Sequence, residues 1–336
     1  MIIPFFIPHS GCPHQCVFCN QKNIIGQTKP VAPSAIPQKI IEYLAINRSD
    51  KPAQVAFYGG SFTALSGEIQ KAYLAVVQPF IQTGQIESIR LSTRPDCITN
   101  EVLALLNQYH VTTIELGVQS MDDMVLTRSG RGHTATDTVN AVHLIKSQDF
   151  LIGLQLMPGL PGDSADSFMK TIETVIELKP DFVRIYPALV IKDTPLEDLY
   201  TSGRYMPLSL DDAVKLCREA FERLELAGID VIRIGLQPTE ELEKPGTIVA
   251  GPYHPAFRQL VESSILLDKM RCALRNRTVK TDRVTFQVNP KDLSAAIGQR
   301  RSNIGLIKKE FGLREAGIVA DDAIPRKGLP NLHSVS

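Results

Sequence analysis

Seven short, largely apolar runs punctuate the first 235 residues: IIPFFIP (2–8), QVAFYGG (54–60), SIRLST (88–93), TTIELGVQ (112–119), FLIGLQLMPG (150–159), DFVRIYPALV (181–190) and DVIRIGL (230–236). Between them lie longer stretches in which apolar positions recur with helical period, among them PSAIPQKIIEYLAI (33–46), EIQKAYLAVVQPFI (68–81), EVLALLNQY (101–109), ATDTVNAVHLIKS (135–147), SFMKTIETVIEL (167–178) and LDDAVKLCREAFERLELA (210–227). Repeated strand, loop and helix units predict a parallel sheet covered by helices. Most of the runs end in polar or glycine-rich segments: GGSFTA, STRPDC, GVQS, MPGLPG and YPALV. In a β/α barrel, complete or partial, such loops gather at the C-terminal rim, where active sites form.

After residue 280 the pattern changes. DRVTFQVN, PKDLSAAIG, NIGLIKKEFG and REAGIVA read in turn as strand, helix, helix and strand, a separate small α+β module. The expected organisation is a core over 1–240, a helical connector over 241–280, the module over 281–322 and a flexible tail over 323–336. In the connecting segment VAGPYHPAFRQLVES (249–263), Tyr253 and His254 are either site-lining residues or parts of a structural turn before a helix.

Composition narrows the class. With 43% hydrophobic and 21% charged residues among 336, the chain has the make-up of an ordinary globular protein. No apolar run reaches the roughly 18 residues of a membrane helix, and the first residues lack the basic flank and cleavage site of a signal peptide. The expectation is a cytoplasmic protein with no membrane partner. Thirty-six basic residues balance 36 acidic ones, so any attraction to nucleic acid must be local, the basic residues of 269–309 being the candidate. Six cysteines are clustered rather than spread as a disulfide framework.

Cys12, Cys16 and Cys19 stand in HSGCPHQCVFCNQ (9–21), directly after the first strand. A zinc site would need a fourth donor, for which His9 or His14 is available. An iron–sulfur cluster is also held by closely spaced thiolates, normally four. With three, one iron keeps open positions for another ligand. Cys97, Cys217 and Cys272 are dispersed and read as small buried residues.

The spacing Cys-x3-Cys-x-Phe-Cys, with Phe18 in the aromatic place, resembles the fingerprint of the radical S-adenosylmethionine (SAM) superfamily. The resemblance implies a partial (β/α)6 barrel and a 4Fe-4S cluster on Cys12, Cys16 and Cys19 whose open iron binds the methionine part of SAM, with Phe18 near the adenine. It implies further that SAM is cleaved reductively to a 5′-deoxyadenosyl radical, with a reduced ferredoxin or flavodoxin-type protein as donor. Where the superfamily has Gly-Gly-Glu, this chain has Gly59, Gly60 and Ser61, which leaves Ser61 and Thr63 as substitutes for the acid. This glycine motif, together with STRPD (92–96), ELGVQS (115–120), RGHT (131–134), MPGLPG (157–162), YPALVIKDTPLEDLYTSGRY (186–205) and RIGLQ (233–237), is similar in order to the radical SAM domain of the Elongator catalytic subunit.

By that resemblance Arg94, Gln119 and Arg131 are expected around SAM or the substrate, unless they are rim salt bridges or loop-fixing hydrogen bonds. Asp96 reads as a turn or capping residue, ranked below Arg94. His133 and Tyr186 are candidate catalytic groups at the rim, each equally a packed residue. The tail resembles a minimal KH RNA-binding core, with Gly298, Gln299, Arg300 and Arg301 where such domains have Gly-x-x-Gly. RNA binding through Gly298, Arg300 and Arg301 is weighed against a small lid for the barrel. The expected activity is modification of a tRNA base. The alternatives are radical chemistry on a small metabolite or porphyrin-like substrate, and an RNA-binding protein with a structural cluster.

Overall fold

In the computed structural model, residues 1–8, 11–26, 29–46, 51–276, 282–328 and 330–334 are described; His9 lies outside them. Their strands are β1 (Ile2–Ile7), β2 (Ala53–Gly59), β3 (Ile86–Thr93), β4 (Val111–Gln119), β5 (Leu151–Leu156), β6 (Phe182–Ile185), β7 (Val190–Ile191), β8 (Asp230–Ile234), β9 (Ile248–Ala250), β10 (Arg283–Val288), β11 (Glu315–Ala320) and β12 (Asn331–Ser334). They belong to two compact units, Met1–Ser209 with Glu222–Tyr253, and Leu210–Phe221 with His254–Ser336.

The first unit carries a seven-stranded sheet in the order β1-β2-β3-β4-β5-β6-β8, every pair parallel. Sequential order with helical crossovers is the half-barrel that the alternating pattern predicts. Its strands are apolar and buried at positions such as Ile3, Val55, Ile89, Ile114, Leu154 and Val183, as expected of a sheet covered by helices. The stretch 68–81, which reads as one helix, forms two, Gly67–Ala75 and Gln78–Gln82. Pro79 has no N–H to continue the first helix and sits instead in the opening turn of the second.

The second unit contains the helix Phe257–Arg275 and a sheet in the order β11-β10-β12, with β10 parallel to β11 and antiparallel to β12. Met270, Leu274, Val284, Phe286 and Ile307 form its core. Strand β12 falls in a stretch whose sequence pattern indicates no element. Cys217 is buried as expected, but Cys272, on the helix Phe257–Arg275, is exposed: its position lies off the apolar stripe of Met270 and Leu274. Among the described residues no helix is long and apolar enough to cross a membrane.

Candidate active site at the rim of the half-barrel

The loop after β1 carries Cys12, Cys16 and Cys19 to the C-terminal end of the sheet. The segment Ser129–Gly132 backs it. Val17 N–H donates to the Ser129 carbonyl at 3.0 Å, and Arg131 Nη1 donates to Cys16 Sγ at 3.6 Å. A Cβ on Gly132, whose φ is +77°, would stand 2.3 Å from the His14 ring. On the far side Leu196 N–H donates to the Val17 carbonyl at 2.9 Å. The cysteine loop is thus held by the Ser129–Gly132 segment and by the first turn of the helix Pro195–Thr201.

A cavity of about 440 Å³ opens in front of it. Cys12, Cys16, Cys19, Phe18, Gly59, Gly60, Ser61, Gln119 and Arg131 all line it, so most of the residues singled out from sequence meet at one place. Cys12 Sγ and Ser61 Oγ are 3.6 Å apart. Gln119, at φ +69°, is buried and its Oε1 accepts from Gln155 Nε2 at 3.3 Å. Phe18 packs on Val125, Leu160 and Ala188. Burial first, then the neighbouring Cys16 and Cys12, push the Cys19 thiol up to about 12. The Cys19 thiol thus needs positive charge beside it before it ionises. A cationic iron–sulfur group supplies it, and the donor set fits one. Among the described residues no three His, Cys, Asp or Glu side chains form a group able to hold a single metal ion.

Other expected residues stand outside the cavity lining. Thr63 bonds Thr93, their hydroxyls 2.6 Å apart. Arg94, 1% exposed, forks onto Asp96 through Nε and Nη2 at 2.9 and 2.8 Å, and its Nη1 donates to the Arg131 carbonyl at 2.6 Å. His133 is buried and neither ring nitrogen has a well-directed partner among the described residues; burial, then the charges of Arg131 and Arg94, lower its pKa to about 3. Tyr253 donates to Glu243, and His254 Nδ1 accepts from Ala256 N–H as a turn.

A second cavity, of about 640 Å³, shares Gln21, Gly59, Ser92, Glu115 and Gln155 with the first and is also lined by Tyr58, Arg184, Tyr186 and Arg233. Glu115 anchors its wall. Glu115 Oε2 accepts from Arg184 Nε at 2.6 Å, Oε1 accepts from Tyr58 at 3.0 Å, and Arg90 Nε lies 3.0 Å from Oε1. Arg184 Nη1 donates to the Tyr186 hydroxyl at 3.4 Å. Burial and the Glu115 charge keep the Tyr58 phenol protonated, far above its usual range. Sequence reasoning missed Tyr58, Arg90, Glu115 and Arg184. The one available signal was polar residues inside otherwise apolar strand runs, as in SIRLST and TTIELGVQ.

Residues 6–175 match the model of the Radical SAM superfamily and residues 180–266 that of the Radical_SAM C-terminal domain. The chain belongs to the radical SAM superfamily, a class whose members hold a 4Fe-4S cluster and SAM. Among its relatives, a tRNA uridine(34) acetyltransferase of Methanocaldococcus jannaschii is 32% identical over 158 residues, 46% of this chain and 29% of that protein. The human Elongator complex protein 3 is 31% identical over 186 residues, 54% of this chain and 32% of that protein. The chain thus spans about a third or less of the length of these two relatives. In fold it is similar to the archaeal Methanocaldococcus infernus Elp3, with a TM-score of 0.61 at 21% identity, over 81% of this chain and 64% of that one.

Proposed function

We propose that this chain cleaves SAM reductively at a 4Fe-4S cluster and directs the resulting 5′-deoxyadenosyl radical to a base of tRNA. The observation that carries the reading is the meeting of Cys12, Cys16, Cys19 and the Gly59–Ser61 turn in one cavity. The three cysteines hold the cluster. A cubane spreads its irons over separate corners, so thiols arranged around a cavity suit it better than they suit one zinc ion. When bound, the cluster supplies one electron to the SAM sulfonium, giving methionine and a radical able to take a hydrogen atom from an unactivated C–H bond.

The chain's own residues bind and orient. Gly59 and Gly60 present bare backbone to SAM, Phe18 offers its ring to the adenine, and Ser61 stands where an acid is usual. Gln119 and Arg131 meet its polar groups, while Arg94 and Thr63 act from behind by fixing the Arg131 backbone and the neighbouring strand end. Glu115, Arg184 and Tyr186 line the adjoining chamber for the substrate. A reduced ferredoxin or flavodoxin-type protein is the donor. RNA is held by Gly298, Arg300 and Arg301 of the second unit, where Arg301, Arg283 and Lys308 line a cavity of about 530 Å³ with Glu315 as the one acid among its described lining residues. Support for tRNA comes from the Methanocaldococcus jannaschii relative matched above, which is by name a tRNA uridine(34) acetyltransferase.

Two measurements test this. Anaerobically reconstituted protein with SAM and dithionite should release 5′-deoxyadenosine, and its absence would end the radical reading. Mass spectrometry of tRNA nucleosides from cells with and without the gene should reveal a missing modification; unchanged tRNA moves the substrate to a small metabolite.

A further inference from the structure

Strands β6 and β8 are paired so that Arg184 and Arg233 are direct Cα partners, with Gln155 of β5 next in the same row. Both arginines line the second cavity. Like charges opposite each other on neighbouring strands repel, and a sheet tolerates them only when something negative stands near. Among the described residues Glu115 is the one carboxylate in the lining, and it is already committed. It meets Arg184 at 2.6 Å and Arg90 at 3.0 Å and accepts from Tyr58 as well. Arg233 is left with a neutral partner, donating to Gln237 Oε1 at 2.6 Å. Arg184 and Arg90 therefore share Glu115, while the half-exposed Arg233 has only the neutral Gln237 and faces a chamber with room for a ligand.

We propose that Arg184 and Arg233, with the Tyr186 hydroxyl beside them, form a seat for an oxyanion of the substrate, and that this oxyanion is the phosphate flanking the target nucleotide. The proposal rests on the radical SAM reading above, which places the substrate in this chamber. The Arg233 guanidinium, which has a neutral partner, offers phosphate oxygens paired N–H donors, and Arg184, held on Glu115 and Tyr186, orients the Tyr186 hydroxyl beside it. The apolar part of the lining, including Phe6, Ile24 and Leu236, offers the nucleoside a surface while the arginine row takes the charge.

The test uses the reconstituted full chain and equilibrium binding of uridine 5′-monophosphate, uridine and succinate. The nucleotide should bind about tenfold or more tightly than uridine, a preference that shrinks as salt rises. Arg233→Gln should abolish the preference and Arg233→Lys should keep part of it. Equal binding of uridine and its monophosphate by the wild-type chain, or a preference unchanged in Arg233→Gln, overturns the seat. If the Gln variant misfolds, Arg233→Ala read in the same binding series decides. Succinate bound in preference to the nucleotide overturns the phosphate assignment and points to a small organic acid. Release of 5′-deoxyadenosine by the wild-type chain reads the reaction separately, so failure of the seat and failure of the radical reading are distinguishable.

Discussion

Cys19 illustrates the cost of crowding thiols: buried beside Cys16 and Cys12, it is raised to about 12 and stays neutral unless a cation joins it. Changing any one of Cys12, Cys16 or Cys19 to Ser should lower bound iron and sulfide about tenfold or more in reconstituted protein, while Cys217→Ser and Cys272→Ser keep both. Arg94 tells a different story, because its fork is already filled by Asp96 and the Arg131 carbonyl. Lysine has no fork to replace these bonds, so Arg94→Lys should cost about 2–4 kcal/mol in urea unfolding. His133 gives the site its acid limit. Its folded pKa of about 3 lies below the ordinary 6.5, so the unfolded chain binds the proton more readily and stability rises with pH between those values. The contribution is present in full above 6.5 and fades as pH falls toward 3. Between pH 7 and pH 5 the loss should reach about 2 kcal/mol, and His133→Phe should flatten the slope in paired melts at those two values.

At the scale of elements, the cysteine loop has no regular structure of its own and takes its shape from the Ser129–Gly132 segment. Gly132 makes a tight contact there, since a left-handed φ and the His14 ring both exclude a side chain. Gly132→Ala should destabilise the unit by about 2–4 kcal/mol and reduce iron content without touching a ligand, measured as iron per folded chain. The cysteine loop and the strands were legible from sequence, because ligand spacing is local and parallel strands buried on both faces read as apolar runs. The Glu115 wall was not. Its partners Tyr58 and Arg184 lie 57 and 69 residues away along the chain, and only sheet register brings them together. Nor does sequence spacing indicate whether Thr63 and Arg94, beside the strand ends, face the cavity or the strand behind it.

For the molecule as a whole, a net charge of zero gives no long-range pull on RNA, so the RNA binding proposed above requires a local patch. The second unit has one with an unusual backbone. Arg300 and Arg301 both adopt left-handed angles, φ 51° and 62°, immediately before the helix Ser302–Phe311. Two adjacent non-glycine residues in that region carry roughly 1–2 kcal/mol of strain each, and such strain is retained where function needs the side chains. Arg301 stands where the resemblance would put the second glycine of a Gly-x-x-Gly loop, and it adopts a left-handed conformation that favours glycine while adding a charge. Replacing both arginines by glycine therefore separates the two effects. The double variant Arg300→Gly with Arg301→Gly should be more stable by roughly 1 kcal/mol per site while binding tRNA more weakly, with a salt slope smaller by about two. Filter binding across a salt series, read beside urea melts of the same protein, checks both. A double variant that melts later but binds tRNA with unchanged affinity and slope would remove these arginines from RNA recognition and leave their strain without a function.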